Sequence, residues 1–184
     1  MLVERRIKSK DWFENVYPRS PQEQAMKLLY NVGDASTSNV YTLMCLHLIT
    51  TTSTYYRTPK SDGVMIRHSI MMNGPRTNYN IGRTLVHQVG HWLGLFHTFK
   101  EGCDDGVRDN VADTPPQAYG SDGCPKGSDS CPGDGPDLID AFASFLSFVL
   151  PFLFIYNFMD YSYGACMDSF TRGQAVRIRE CESV

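Results

Sequence analysis

The chain has 184 residues, enough for one domain with a real core and short of the usual two-domain range. Its net charge of -3, with 42% hydrophobic and 20% charged residues, is that of an ordinary soluble globular protein. There is no basic surplus to attract nucleic acid, so that class of partner is excluded.

Residues 1–20, opening MLVERRIKSKDWFENVYP, read as a poorly defined leader. They are charged and lack the apolar core of about 7–15 residues that a secretory signal requires. Secretion would therefore mean either that the signal has been removed or that the start is misplaced, the second implying an upstream signal and pro-segment. Ser20-Pro21-Gln22-Glu23 combines an N-cap serine, a proline at the first helical position and a glutamate placed to close a capping box. The pattern predicts a scaffold helix over residues 21–31, with Ala25, Met26, Leu28 and Leu29 on its apolar face and Gly33 as its stop. Segments 39–50 and 63–70 are rich in β-branched and aliphatic residues and flank a polar stretch, which predicts two strands of one sheet. His47 and His68 fall in these strands and read as ordinary histidines, not ligands.

Residues 82–93 have helical character and carry the most informative pattern, His87-Gln88-Val89-Gly90-His91-Trp92-Leu93-Gly94-Leu95-Phe96-His97. His87 and His91 are one helical turn apart, so both imidazoles project from one face toward a common point, as a tetrahedral zinc ion requires. Gly94 lets the chain leave the helix sharply, with φ > 0, so that His97 can return as a third ligand. Three protein ligands leave a fourth position open, which marks a catalytic zinc site. The full HxxxHxxGxxH spacing is the metzincin signature in all but one letter. Leu85, Val89, Trp92, Leu93 and Leu95 read as core-packing residues.

Beyond His97, residues 100–137 are dense in Gly, Pro, Asp and Ser and predict a long irregular loop. Cys103, Cys124, Cys131 and Cys166 lie in this second half without any CxxC pair, which reads as two disulfides formed in an oxidising compartment. Residues 141–156, AFASFLSFVLPFLFIY, are uncharged and mostly apolar but shorter than the roughly 20 residues of a membrane span. A membrane anchor, a buried core element and an insertion foreign to the domain all fit that composition. An anchor is the weakest of the three, because a single crossing would separate parts of one site, and stable membrane insertion is not expected. Thr171-Arg172-Gly173-Gln174 is a second capping-box pattern and predicts a short final helix carrying Ala175, Val176 and Ile178.

GRTLVHQVGHWLGLFHTF, then VADTP, then NFMDYSYGACMDSFTRGQ together resemble the pappalysin-type metzincins, and among them the fungal secreted metalloproteases. The resemblance runs from about residue 22 to 179, interrupted by the apolar segment. It implies one α+β metallopeptidase domain: a twisted mixed sheet, a backing helix and a zinc helix above an irregular, disulfide-pinned lower part. It implies a secreted monomer that holds one Zn2+ through His87, His91 and His97 and hydrolyses peptide bonds in proteins or peptides with zinc-activated water. Met159 becomes the Met-turn residue beneath the histidines, and Tyr161 the tyrosine that can stabilise the oxyanion. The same likeness pairs Cys103 with Cys131 and Cys124 with Cys166, leaving Cys45 and Cys181 either joined or free. It also raises Ca2+ in the loop, where Asp104, Asp105, Asp109 and Asp113 offer hard oxygen ligands.

Two departures stand out. Gln88 occupies the position of the catalytic glutamate, and an amide has no useful basicity near neutral pH. Hydrolysis should be slowed by roughly 10² to 10⁴, the usual size of a general acid–base contribution. A silent pseudoprotease that binds a peptide or an inhibitor is the alternative. The second departure is segment 141–156, since joining Asp140 to Asn157 would restore an uninterrupted approach to the Met-turn.

Overall fold

The computed structural model describes residues 4–44, 48–50, 58–104, 108–131, 137 and 157–182. Cys45, His47, Asp105 and the apolar segment 141–156 lie outside the described residues. The architecture is α+β, as expected, with three strands, four α-helices and three short 3-10 turns among them.

The leader contains an element that its sequence pattern did not announce. Helix α1, Lys10–Asn15, starts at Ser9, whose hydroxyl accepts the Trp12 amide at 3.2 Å. Val16 comes next and is buried with Met26, Leu43 and Met65, while Trp12, Tyr30 and Tyr41 pack around them. Burying these apolar groups ties the leader to the sheet.

Helix α2, Pro21–Tyr30, begins as predicted: Ser20 Oγ accepts the Glu23 amide at 3.1 Å and Pro21 takes the first turn. The Glu23 carboxylate reaches back to the Arg19 amide, one residue before the cap. Its buried face differs from the expected one. Leu28 and Leu29 are 64% and 65% exposed, whereas Glu23, Met26 and Lys27 are buried. The 3.6-residue period puts 23, 26, 27 and 30 on one side, and Lys27 can go inside because its ammonium is satisfied there. Its Nζ lies 2.9 Å from Glu23 Oε1 and donates to the Ser61 carbonyl at 2.7 Å.

The stretch expected to form one long strand is two: β1, Val40–Leu43, and β2, Leu48–Thr50. Both flank β3, Gly63–Arg67, which pairs parallel with β1 and antiparallel with β2, so the sheet is mixed with order β1-β3-β2. Val64, Met65 and Ile66 in the middle are fully buried. A central strand covered on both faces reads as a continuous apolar run, as this one does. Residues 68–70 leave the sheet as a 3-10 turn, so His68 is not in the strand.

Helix α3, Arg83–Trp92, packs on β3 and β2. Its Trp92 indole donates to the buried Asp62 carboxylate at 3.0 Å, and burial raises the pKa of that carboxylate. Among the described residues, the lower half has little regular structure before helix α4, Arg172–Glu182. Disulfides Cys103–Cys131 and Cys124–Cys166 pin it, in the pairing that the family resemblance implied. The capping box of α4 is complete: Thr171 Oγ1 accepts the Gln174 amide at 3.1 Å and Gln174 Oε1 accepts the Thr171 amide at 2.9 Å. Asp113 adds a second cap, accepting from the Gly173 amide at 2.8 Å and the Thr171 hydroxyl at 2.7 Å. Val176, one of the apolar residues of α4, is exposed.

Replacing Lys27 with alanine leaves the Glu23 carboxylate buried without its cation. Urea unfolding of Lys27→Ala should show a loss of about 3–5 kcal/mol; a loss under about 0.5 kcal/mol, the size of an exposed helical pair, would mean that the pair is solvated in solution.

Candidate metal centre

Helix α3 brings His87 and His91 to the floor of a cleft of about 730 Å³ that also takes in Gln88, His97, Asp122 and Tyr161. After Leu93 the chain turns through Gly94 at φ +95°, as the spacing predicted, and brings His97 back. His91 Nε2 lies 3.1 Å from His87 Nε2 and 2.9 Å from His97 Nε2. A tetrahedral zinc ion with its nitrogens at about 2.0–2.1 Å needs those nitrogens about 3.3 Å apart, so the donor set fits the ion closely.

The other ring nitrogens explain the aim. His87 Nδ1 donates to the Phe158 carbonyl at 2.6 Å and His91 Nδ1 to the Leu95 carbonyl at 2.8 Å. A proton held on Nδ1 leaves the Nε2 lone pair facing the centre. Burial lowers the pKa of His91, and burial together with the neighbouring His91 pushes His97 down to about 4. Both effects favour the neutral imidazole, which is the ligating form. Among the described residues these three histidines are the one cluster placed to hold a metal ion.

Gln88 is buried beside them, and its Oε1 has no hydrogen-bond partner among the described residues. A buried amide oxygen without a partner, on a residue that lines the cleft, is a place for a polar guest. Met159 is fully buried and packs on Gly90, where an added Cβ would stand 2.6 Å from its sulfur. Gly90 therefore has a packing reason that its position inside a helix hints at. Tyr161 is half exposed, its ring 4.8 Å from that of His97 and 5.9 Å from that of His87. Burial raises the pKa of its phenol, which keeps it an O–H donor.

Polar residues at the two ends of the NFMDYSYGACMDSFTRGQ stretch also order the site. Asn157 and Gln174 exchange two amide hydrogen bonds, at 2.8 and 3.0 Å, and Asn157 Oδ1 also accepts the Met159 amide at 2.8 Å. The amide pair fastens the turn at 157–160 to the start of α4. Of the aspartates considered for calcium, Asp105 lies outside the described residues. Asp109 is buried on Thr114 and the Val111 amide, Asp113 caps α4, and Asp104 is exposed. His68 packs on Phe13, with ring centroids 5.2 Å apart, and takes no part in the triad. Cys181 is a free thiol that abuts Gly94.

The Peptidase_M43 family profile, described as pregnancy-associated plasma protein-A, matches residues 39–182. An extracellular metalloprotease of Arthroderma otae is 40% identical over 165 residues, covering 86% of this chain and 55% of its own length. Extracellular metalloprotease 1 of Coccidioides posadasii is 40% identical over 163 residues, or 85% of this chain and 53% of its own. The chain thus spans about half the length of these curated relatives. Among solved structures, Tannerella forsythia mature mirolysin in complex with a cleaved peptide matches with a TM-score of 0.64 at 30% identity, over 87% of this chain and 59% of that one.

At Gly94 a side chain would meet Cys181 and would have to adopt a left-handed backbone. Gly94→Ala should lower stability by about 1–3 kcal/mol in chemical unfolding and weaken zinc in chelator competition, because the reversal that returns His97 is strained. An unchanged zinc affinity would show that the loop reaches His97 by another path.

Proposed function

The chain belongs to the Peptidase_M43 family of pappalysin-type metzincins, and on that premise we propose that it is a secreted zinc metalloendopeptidase slowed by Gln88. The observation that carries the proposal is the convergence of three histidine nitrogens beside a buried amide oxygen with no partner among the described residues. His87, His91 and His97 would hold one zinc ion. When bound, that ion supplies Lewis-acid polarisation of a scissile carbonyl and a lowered pKa for water.

The protein's own groups do the rest. Gln88 can orient a water through its amide but cannot take its proton, so base assistance is missing. Tyr161 donates its phenolic hydrogen to the carbonyl oxygen as negative charge develops there. Met159, packed on Gly90, fixes the helix that carries two ligands. Peptide and protein substrates are supported by the cleft and by the cleaved peptide held in mirolysin. Secretion is supported by two disulfides and by relatives named as extracellular.

A second reading rests on Gln88 itself: a silent pseudoprotease that keeps the metal and the cleft and holds peptides without cutting them. The deciding measurement is turnover of a quenched peptide library with added zinc by the chain and by Gln88→Glu, with His91→Ala as the metal-free control. The restored carboxylate should raise kcat/KM by about 10² to 10⁴, and His91→Ala should be silent. Stoichiometric zinc and tight peptide binding with no cleavage by Gln88→Glu would establish the second reading instead.

A further inference from the structure

Of the three histidines, His97 is the least secured by local structure. His87 and His91 share a helix and each has a backbone carbonyl on its Nδ1. His97 lies outside the helix and, among the described residues, has no such carbonyl. Its neighbour Thr98 is better held. The Thr98 amide donates to the Met159 carbonyl at 3.3 Å, and the Thr98 hydroxyl donates to Gln117 Oε1 at 2.7 Å.

Gln117 is a fully buried side chain in the irregular loop. Its Nε2 faces Asp160 Oδ1 at 3.0 Å, the Tyr119 carbonyl at 2.9 Å and Ser121 Oγ at 3.2 Å. Asp160, the residue between Met159 and Tyr161, is buried as well and also accepts from the Ser121 amide at 3.0 Å and the Ser162 hydroxyl at 2.6 Å. A single neutral amide thus accepts from the residue after the third histidine and donates to the residue before the tyrosine. Only an amide does both here. A carboxylate would repel Asp160, and an aliphatic side chain would leave a buried hydroxyl and a buried carboxylate short of partners.

We propose that Gln117 is a positioning residue that, through Thr98 and Asp160, holds His97 and Tyr161 facing the same point of the cleft. The proposal rests on the metal reading of the histidine cluster. It assigns to an unremarkable loop glutamine the outer-shell role that the Phe158 and Leu95 carbonyls play for the other two histidines.

The test measures zinc affinity by chelator competition, the visible absorption of the cobalt-substituted protein, and metal-free folding by circular dichroism. Gln117→Leu and Thr98→Val should each weaken zinc by about 10- to 100-fold and shift the cobalt bands. Thr98→Ser, which keeps the hydroxyl, should stay within about twofold of the parent, and the double variant Thr98→Val/Gln117→Leu should lose no more than the worse single change. Zinc affinity within about twofold of the parent in either folded single variant, equal losses for Thr98→Ser and Thr98→Val, or losses that multiply in the double would overturn the proposal. Should Gln117→Leu not fold, the contrast between Thr98→Val and Thr98→Ser decides alone. A parent that binds no zinc overturns the metal reading and this proposal with it, whereas a zinc-binding parent with unaffected variants overturns only the latter.

Discussion

Three imidazole nitrogens must meet within the span of one ion, and most of the molecule around the cleft is explained by that requirement. A helix can supply two of them, because residues four apart share a face. It cannot supply the third from the same side at tetrahedral separation, so the chain must reverse and come back. Gly94 makes the reversal with a positive φ, and Gly90 lets Met159 close against the helix from beneath. The carbonyls of Leu95 and Phe158 then lock the ring tautomers, which makes the convergence chemical as well as geometric.

The two halves reach rigidity by different means. Around the sheet, order comes from burial of Val16, Met26, Leu43 and Met65, and even the ion pair of Lys27 and Glu23 is folded into that interior. Below the cleft, among the described residues, two disulfides and buried amides and carboxylates with their partners supplied add to the rigidity. Such networks are directional, so they can place a side chain to a fraction of an ångström where a hydrophobic contact cannot. That suits the proposed role of Gln117 in aiming His97 and Tyr161.

On the proposed reading, Gln88 is the small change that removes base assistance from the site. It has the length and shape of a glutamate and is buried where a base would work, yet its oxygen carries no full charge and takes no proton. Its Oε1 has no protein partner among the described residues. Metal binding and proton transfer are in this way separable functions of adjacent residues on one helix.

The amino-acid sequence by itself determined the parts whose physics is local. The capping residues Ser20 and Thr171, the one-turn spacing of His87 and His91, and the positive φ at Gly94 are dictated by bonds within a few residues, and each stands where it was expected. The split of one expected strand into β1 and β2, the helix at Lys10–Asn15, and the exposure of Leu28 and Leu29 with burial of Lys27 on α2 were decided by tertiary structure. Lys27 shows why. Its burial is supported by Glu23 on its own helix and by Ser61, 34 residues away, which offers a carbonyl at the right place. The same holds for Gln117 and Asp160, ordinary polar letters in a loop until the fold brings 43 positions of separation down to one hydrogen bond. Local rules register spacing and propensity, but whether a polar group can be buried depends on a partner that only the folded chain supplies.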